Sequence, residues 1–110
     1  MFVHLVLFRL RAGLSDADRD VMLDSFQRAC REIPSVMRAT IGLRTLVGAG
    51  YEQANGDAFP YAAMLEFNDP AGLKDYLQHA AHAEPARLFF AAIEASLIAD
   101  YQMTDLGARA

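Results

Sequence analysis

Phe2-Val3-His4-Leu5-Val6-Leu7-Phe8-Arg9-Leu10 (FVHLVLFRL) decides the architecture. The run is too short for an ordinary helix and rich in β-branched and aromatic residues, so it reads as the first strand. Side chains alternate across a strand, which puts Phe2, His4, Val6 and Phe8 on one face and Val3, Leu5 and Leu7 on the other. Both faces are apolar, so each must be covered by something.

Ser15, with Asp18 three residues on, offers a side-chain oxygen and a negative charge to the free amides of a helix start. The helix it predicts runs to about Ile33, with a stripe of Met22, Phe26, Ala29, Cys30 and Ile33, and Pro34 stops it. From Met37 to Val47, Met37, Ala39, Ile41 and Leu43 alternate with Arg38, Thr40, Gly42 and Arg44, the pattern of a strand with one wetter face. Gly42 is a candidate bulge. Gly48 to Phe59 contains three glycines, Asn55 and Asp57 without a phosphate-loop spacing, and reads as a mobile connection.

Pro60 to Asn68 is the third predicted strand. Asp69-Pro70 supplies a capping carboxylate followed by proline at the first helical position, and the helix it opens carries Leu73, Tyr76 and Leu77. A further helix is expected over Glu84 to Glu94 and a last strand over Ser96 to Met103, with residues 104–110 as a frayed tail. The order β-α-β-β-α(α)-β is the ferredoxin-like α+β arrangement, an antiparallel four-stranded sheet with helices on one face, in a single domain over residues 1–103. The face of Val3, Leu5 and Leu7 is then left without helices, and a second copy of the chain is the simplest cover, which predicts a homodimer.

Composition narrows the partners. The 14 acidic and 10 basic residues give a net charge of −4 with no basic block, which argues against nucleic acid. No apolar run is long enough to imply a membrane partner, and Phe2 to Phe8 lacks the basic flank and cleavage site of a secretion signal, so a cytoplasmic location is expected. Cys30 is the sole cysteine and shares a helical stripe with Phe26 and Ile33, the position of a structural thiol. His79-x-x-His82 lacks the further ligands of a usual zinc site, so no metal is expected.

Three segments, HLVLFRL, LEFNDPAGLKDYLQHAAH and LIADY, together resemble the stress-responsive A/B barrel (Dabb) domain family, whose members are dimeric α/β barrels. The resemblance covers nearly the whole chain. Its most specific part is the pattern Asp75-Tyr76-x-x-His79-x-x-His82, combined with His4 on the first strand. Family members usually carry proline after the first histidine of the pattern, where this chain has Ala80.

The resemblance implies divided functions. The family includes cofactor-independent enzymes that close polyketide chains by aldol condensation, others that cleave hydroxynitriles, and stress-induced homo-oligomeric proteins without known chemistry. Cofactor-free monooxygenases share the fold. In cyclase-type members the second histidine of the pattern and its tyrosine are catalytic. The resemblance thus implies that His82 and Tyr76 are catalytic with His4 in the same cavity, acting on a small apolar or carbonyl-containing ligand and needing no cofactor.

The chemistry is sound for those residue types. A histidine titrates near neutrality and can take and return a proton, while a tyrosine hydroxyl can hold a developing oxygen charge. His79 and Tyr61 are candidate ligand-binding residues, and Glu66 and Asp100 are polar strand residues within conceivable reach of a pocket. From the residues alone, structural roles stay open: a bonded hydroxyl for Tyr76, a surface or helix-end place for His79 and a buried carbonyl satisfied by His82, while for His4, on a strand among Phe2, Val6 and Phe8, the role of a bonded core residue leads.

Overall fold

A computed structural model describes residues 1–56 and 58–107. Strand β1 (Phe2–Leu10) leads through a Gly13 turn into helix α1 (Asp16–Glu32). Then follow β2 (Arg38–Leu43), a short helix α2 (Tyr51–Asn55), β3 (Tyr61–Phe67), α3 (Pro70–Gln78), a 3-10 turn (Ala80–His82), α4 (Ala83–Ala92) and β4 (Ile93–Gln102). The four strands form one sheet in the order β2-β3-β1-β4, all neighbours antiparallel. This is the ferredoxin-like α+β architecture expected from the sequence.

Local chemistry sets the helix starts. The Ser15 hydroxyl accepts from the Asp18 amide at 3.0 Å, and the Asp69 carboxylate accepts from the Gly72 amide at 2.9 Å with Pro70 opening α3. Each such cap stabilises its helix by about 0.5–2 kcal/mol. Burial does the larger part. One cluster joins Val6, Phe8 and Ala63 of the sheet to Met22 of α1 and Phe89 and Ala92 of α4. A second joins Leu65 and Phe67 to Ala29 and Ile33 of α1's end and to Leu73 and Tyr76 of α3. Each fully buried large side chain contributes about 1.5–3 kcal/mol. All helical members of both clusters lie over the face that carries His4, Val6 and Phe8, so the opposite face has no helix on it.

Several expectations need correction. Strand β2 ends at Leu43 rather than Val47, and all six of its residues are exposed, because it is an edge strand from which α1 stands off. Gly42 pairs with Ala62 in an unbroken register, and the irregularity lies instead between Arg9 and Leu10. The stretch read as a mobile connection contains α2 and is tied by side-chain hydrogen bonds. Asp57, and residues 108–110 of the expected tail, lie outside the described residues. Glu94, expected at a helix end, belongs to β4. Val3 is only 1% exposed within one chain, flanked in register by the large side chains of Glu66 and Tyr101. The uncovered apolar surface is therefore carried by Leu5 and Leu7 with Leu97, not by Val3.

Candidate active site

His4 sits in the middle of the sheet's covered face, where the two core clusters fail to meet. The gap is a pocket of about 140 Å³. Val6, Phe26 and Phe89 form one wall, Tyr76 and His82 another, and Leu77, Phe90 and Ile98 stand at its more exposed edge. The lining carries no charged side chain apart from whatever proton the histidines hold.

A break in the helix makes the arrangement possible. Six residues along a continuous helix would turn His82 about 240° from Tyr76, onto another face. Instead α3 ends at His79, which adopts extended backbone (φ −67°, ψ 140°), and the 3-10 turn swings His82 back. Its ring then packs edge-on against Tyr76, with centroids 4.7 Å apart and planes at 70°. Extended backbone is what a residue before proline must adopt. Here Ala80 follows, and the turn is held by His79 itself, whose Nδ1 accepts from the Ala81 amide at 3.0 Å.

Tyr76 is 2% exposed, and burial, with Cys30 adding a smaller effect, pushes its hydroxyl well above the ordinary phenol range. It is thus a neutral hydrogen-bond donor. His82 is half-buried, and desolvation, with a smaller push from His4, lowers its pKa below the usual histidine value. Neutral at pH 7, it is a base with an open lone pair.

His4 Nδ1 lies 2.5 Å from Asp100 Oδ1, its partner in the β1–β4 register, and its ring centroid is 6.1 Å from that of Tyr76. Asp100 thereby joins the site as the group that orients His4. From the sequence Asp100 is only a polar strand residue within reach of a pocket, and the register puts it opposite His4 on the covered face.

Three candidates fall outside. His79 is exposed and serves as the cap of the 3-10 turn, not as a pocket wall. Tyr61 stacks on Phe8 with centroids 4.9 Å apart, at the far end of the sheet's covered face. Glu66 points from the opposite face with Val3 and lies 3.8 Å from Arg38. Cys30 is half-buried and its thiol is pushed up to about 11 by burial, so it is a poor nucleophile. Among the described residues no cluster of three or more His, Cys, Asp or Glu could hold a metal ion. No described helix is long and apolar enough to cross a membrane.

The family model of the stress responsive A/B barrel domain matches residues 2–103, and the chain belongs to that family. Among solved structures it is similar to a hydroxynitrile lyase from Passiflora edulis, at 19% identity, covering 97% of this chain and 96% of that one, with a TM-score of 0.81. An Arabidopsis thaliana protein superimposes with the same TM-score of 0.81 at 17% identity, over 98% of this chain and 100% of that one. A dimeric ferredoxin-like protein of unknown function from Thermobifida fusca gives 0.74 at 14% identity, over 93% of this chain and 90% of that one. At these identities the likeness shows the fold. No match was found among curated proteins.

Proposed function

We propose that the protein is a cofactor-independent enzyme that cleaves or forms a carbon–carbon bond next to a carbonyl in a small neutral molecule, by proton transfer. The observation that carries this reading is the His82 ring set against Tyr76 in an otherwise apolar pocket. Neutral His82 removes a proton from a substrate hydroxyl or from a carbon next to a carbonyl, and returns it to the leaving group or product. Tyr76 donates to the substrate oxygen on which charge develops, in a site too apolar for water to compete. His4, oriented by Asp100, supports the same oxygen or the departing group. A pocket of about 140 Å³ fits a compact ligand, and the absence of lining cations disfavours phosphates and carboxylates inside it.

The working unit is proposed to be a homodimer, built from residues 1–103 and acting in the cytoplasm. Support comes from the uncovered sheet face of Leu5, Leu7 and Leu97 and from relatives described as dimeric. That same exposed face favours a second reading, a non-catalytic homo-oligomer, in which the pocket is only a packing gap.

Cyanide release from an aromatic cyanohydrin and cyclisation of a linear polyketone, each followed with purified protein, separate the two readings. Turnover of either above the rate in buffer supports the enzyme. Failure on a broad panel of both classes contradicts it.

A further inference from the structure

The pocket holds the reacting end of a substrate and little more. Its volume of about 140 Å³ is near the roughly 150 Å³ that takes one benzene ring, and well under the roughly 300 Å³ at which sites for whole small molecules begin. Anything larger carries its remainder outside, and what it meets there is apolar. Leu77 of α3, Phe90 of α4 and Ile98 of β4 line the outer edge of the pocket and are 44%, 62% and 43% exposed. Phe90 is also held in place, with its ring edge-on to Phe89 of the pocket wall, centroids 5.2 Å apart and planes at 80°. Exposed apolar side chains scattered singly over a surface need no explanation. These three come from three different elements and converge on one opening, where a ligand that covers them gains the free energy of removing their surface from water.

We infer that this rim is the outer half of the substrate site: it holds an apolar substituent, a phenyl ring or a short alkyl chain, bonded to the carbonyl head that sits inside, and Phe90 is its specificity-determining residue. The inference rests on the reading of the pocket as a site for a neutral carbonyl compound. Two observations select the substrate's own substituent as the occupant. The first is continuity. The three side chains line the same pocket as Tyr76 and His82, so a group attached to a head seated against those rings reaches the rim through the one opening. The second is charge. The rim has no charged side chain of its own, and the acid beside it on β4 is Asp100, two residues from Ile98 on the same face of the strand. An anionic substituent is therefore repelled, and a strongly polar one loses water there without gaining a partner.

NMR titration of the full chain with methyl ethyl ketone and methyl hexyl ketone tests this, because the two share a head and differ only by four methylenes. The wild type is expected to bind the longer ketone about tenfold tighter or more, the gain of four methylenes about half covered, with the added shifts at Leu77, Phe90 and Ile98. Phe90→Ser should reduce that ratio to about threefold or less, and Phe90→Leu, which keeps an apolar side chain there, should recover most of it. Phe90 is more than half exposed, so thermal melts of both variants should match the wild type. An unchanged ratio in Phe90→Ser, or added shifts that fall away from the rim, overturns the rim and leaves the pocket standing. Binding of neither ketone at millimolar concentration overturns the pocket reading and the rim together. The expected ratio in a protein that turns over neither cyanohydrin nor polyketone supports the rim while removing the enzyme.

Discussion

His4 and Asp100 face each other across the β1–β4 register, with Nδ1 and Oδ1 2.5 Å apart. His4 is 7% exposed, whereas the Asp100 side chain is 38% exposed. A carboxylate at Nδ1 favours the tautomer with its proton there and leaves Nε2 as the free ring nitrogen. Asp100 is therefore a positioning residue. Its replacement by alanine should lower turnover by about tenfold or more while leaving the fold intact. Steady-state kinetics will show this. A variant with full turnover would separate Asp100 from the chemistry.

The pH dependence has a definite sign. Burial lowers the His82 pKa below 6.5, so the unfolded chain holds this proton more tightly than the folded one. The stability it contributes is present above about pH 6.5 and is lost as pH falls through the lowered value. Activity that needs neutral His82 should persist below pH 6.5 and fail only on further acidification. Replacing His4 by leucine removes one of the two causes and should move the acid limb upward. NMR titration of the His82 ring, alongside the profile of kcat/KM, checks both. An acid limb above pH 6.5 in the wild type would contradict the desolvated histidine.

Leu5→Asp tests the sheet face. Leu5 pairs with Met64 and Ala99 in the centre of the uncovered side, where a carboxylate would be trapped between copies. Light scattering at micromolar concentration should report monomer or precipitate instead of dimer. Unchanged dimerisation would mean that another surface is used.

Asp69→Ala removes the cap of α3 and should cost about 0.5–2 kcal/mol in urea denaturation. Because α3 carries Tyr76, the loss should also reduce turnover by more than the folded fraction accounts for. An unchanged midpoint would mean that Pro70 and packing fix the helix unaided.

The fold could be read because its signals are local: the doubly apolar Phe2–Leu10 run, Ser15 and Asp69-Pro70 at helix starts, and Pro34 at a stop. The site was legible only in part. Tyr76 and His82 could be named, but their contact depends on the helix break at His79, which periodicity does not encode. His79 looked like a ligand because it shares the pattern, yet its Nδ1 is spent on the Ala81 amide. Tyr61 and Glu66 were misplaced for a different reason. A strand residue's face follows from alternation, but its position along the sheet relative to a pocket depends on register, and only the pairing Phe8↔Tyr61 and Val3↔Glu66 reveals it. The exposure of β2 was hidden because alternation reports which side chains could be covered, not whether a helix reaches them.

Turnover by His82→Ala bears most directly on whether this pocket is catalytic. With the cyanohydrin or polyketone that the wild type converts, the variant should lose about two to four orders of magnitude in kcat, with its circular dichroism and dimer unchanged, and Tyr76→Phe should lose less. Undiminished turnover by a folded His82→Ala protein, or a variant that cannot fold because the histidine is structural, would contradict the assignment of His82 as the general acid and base.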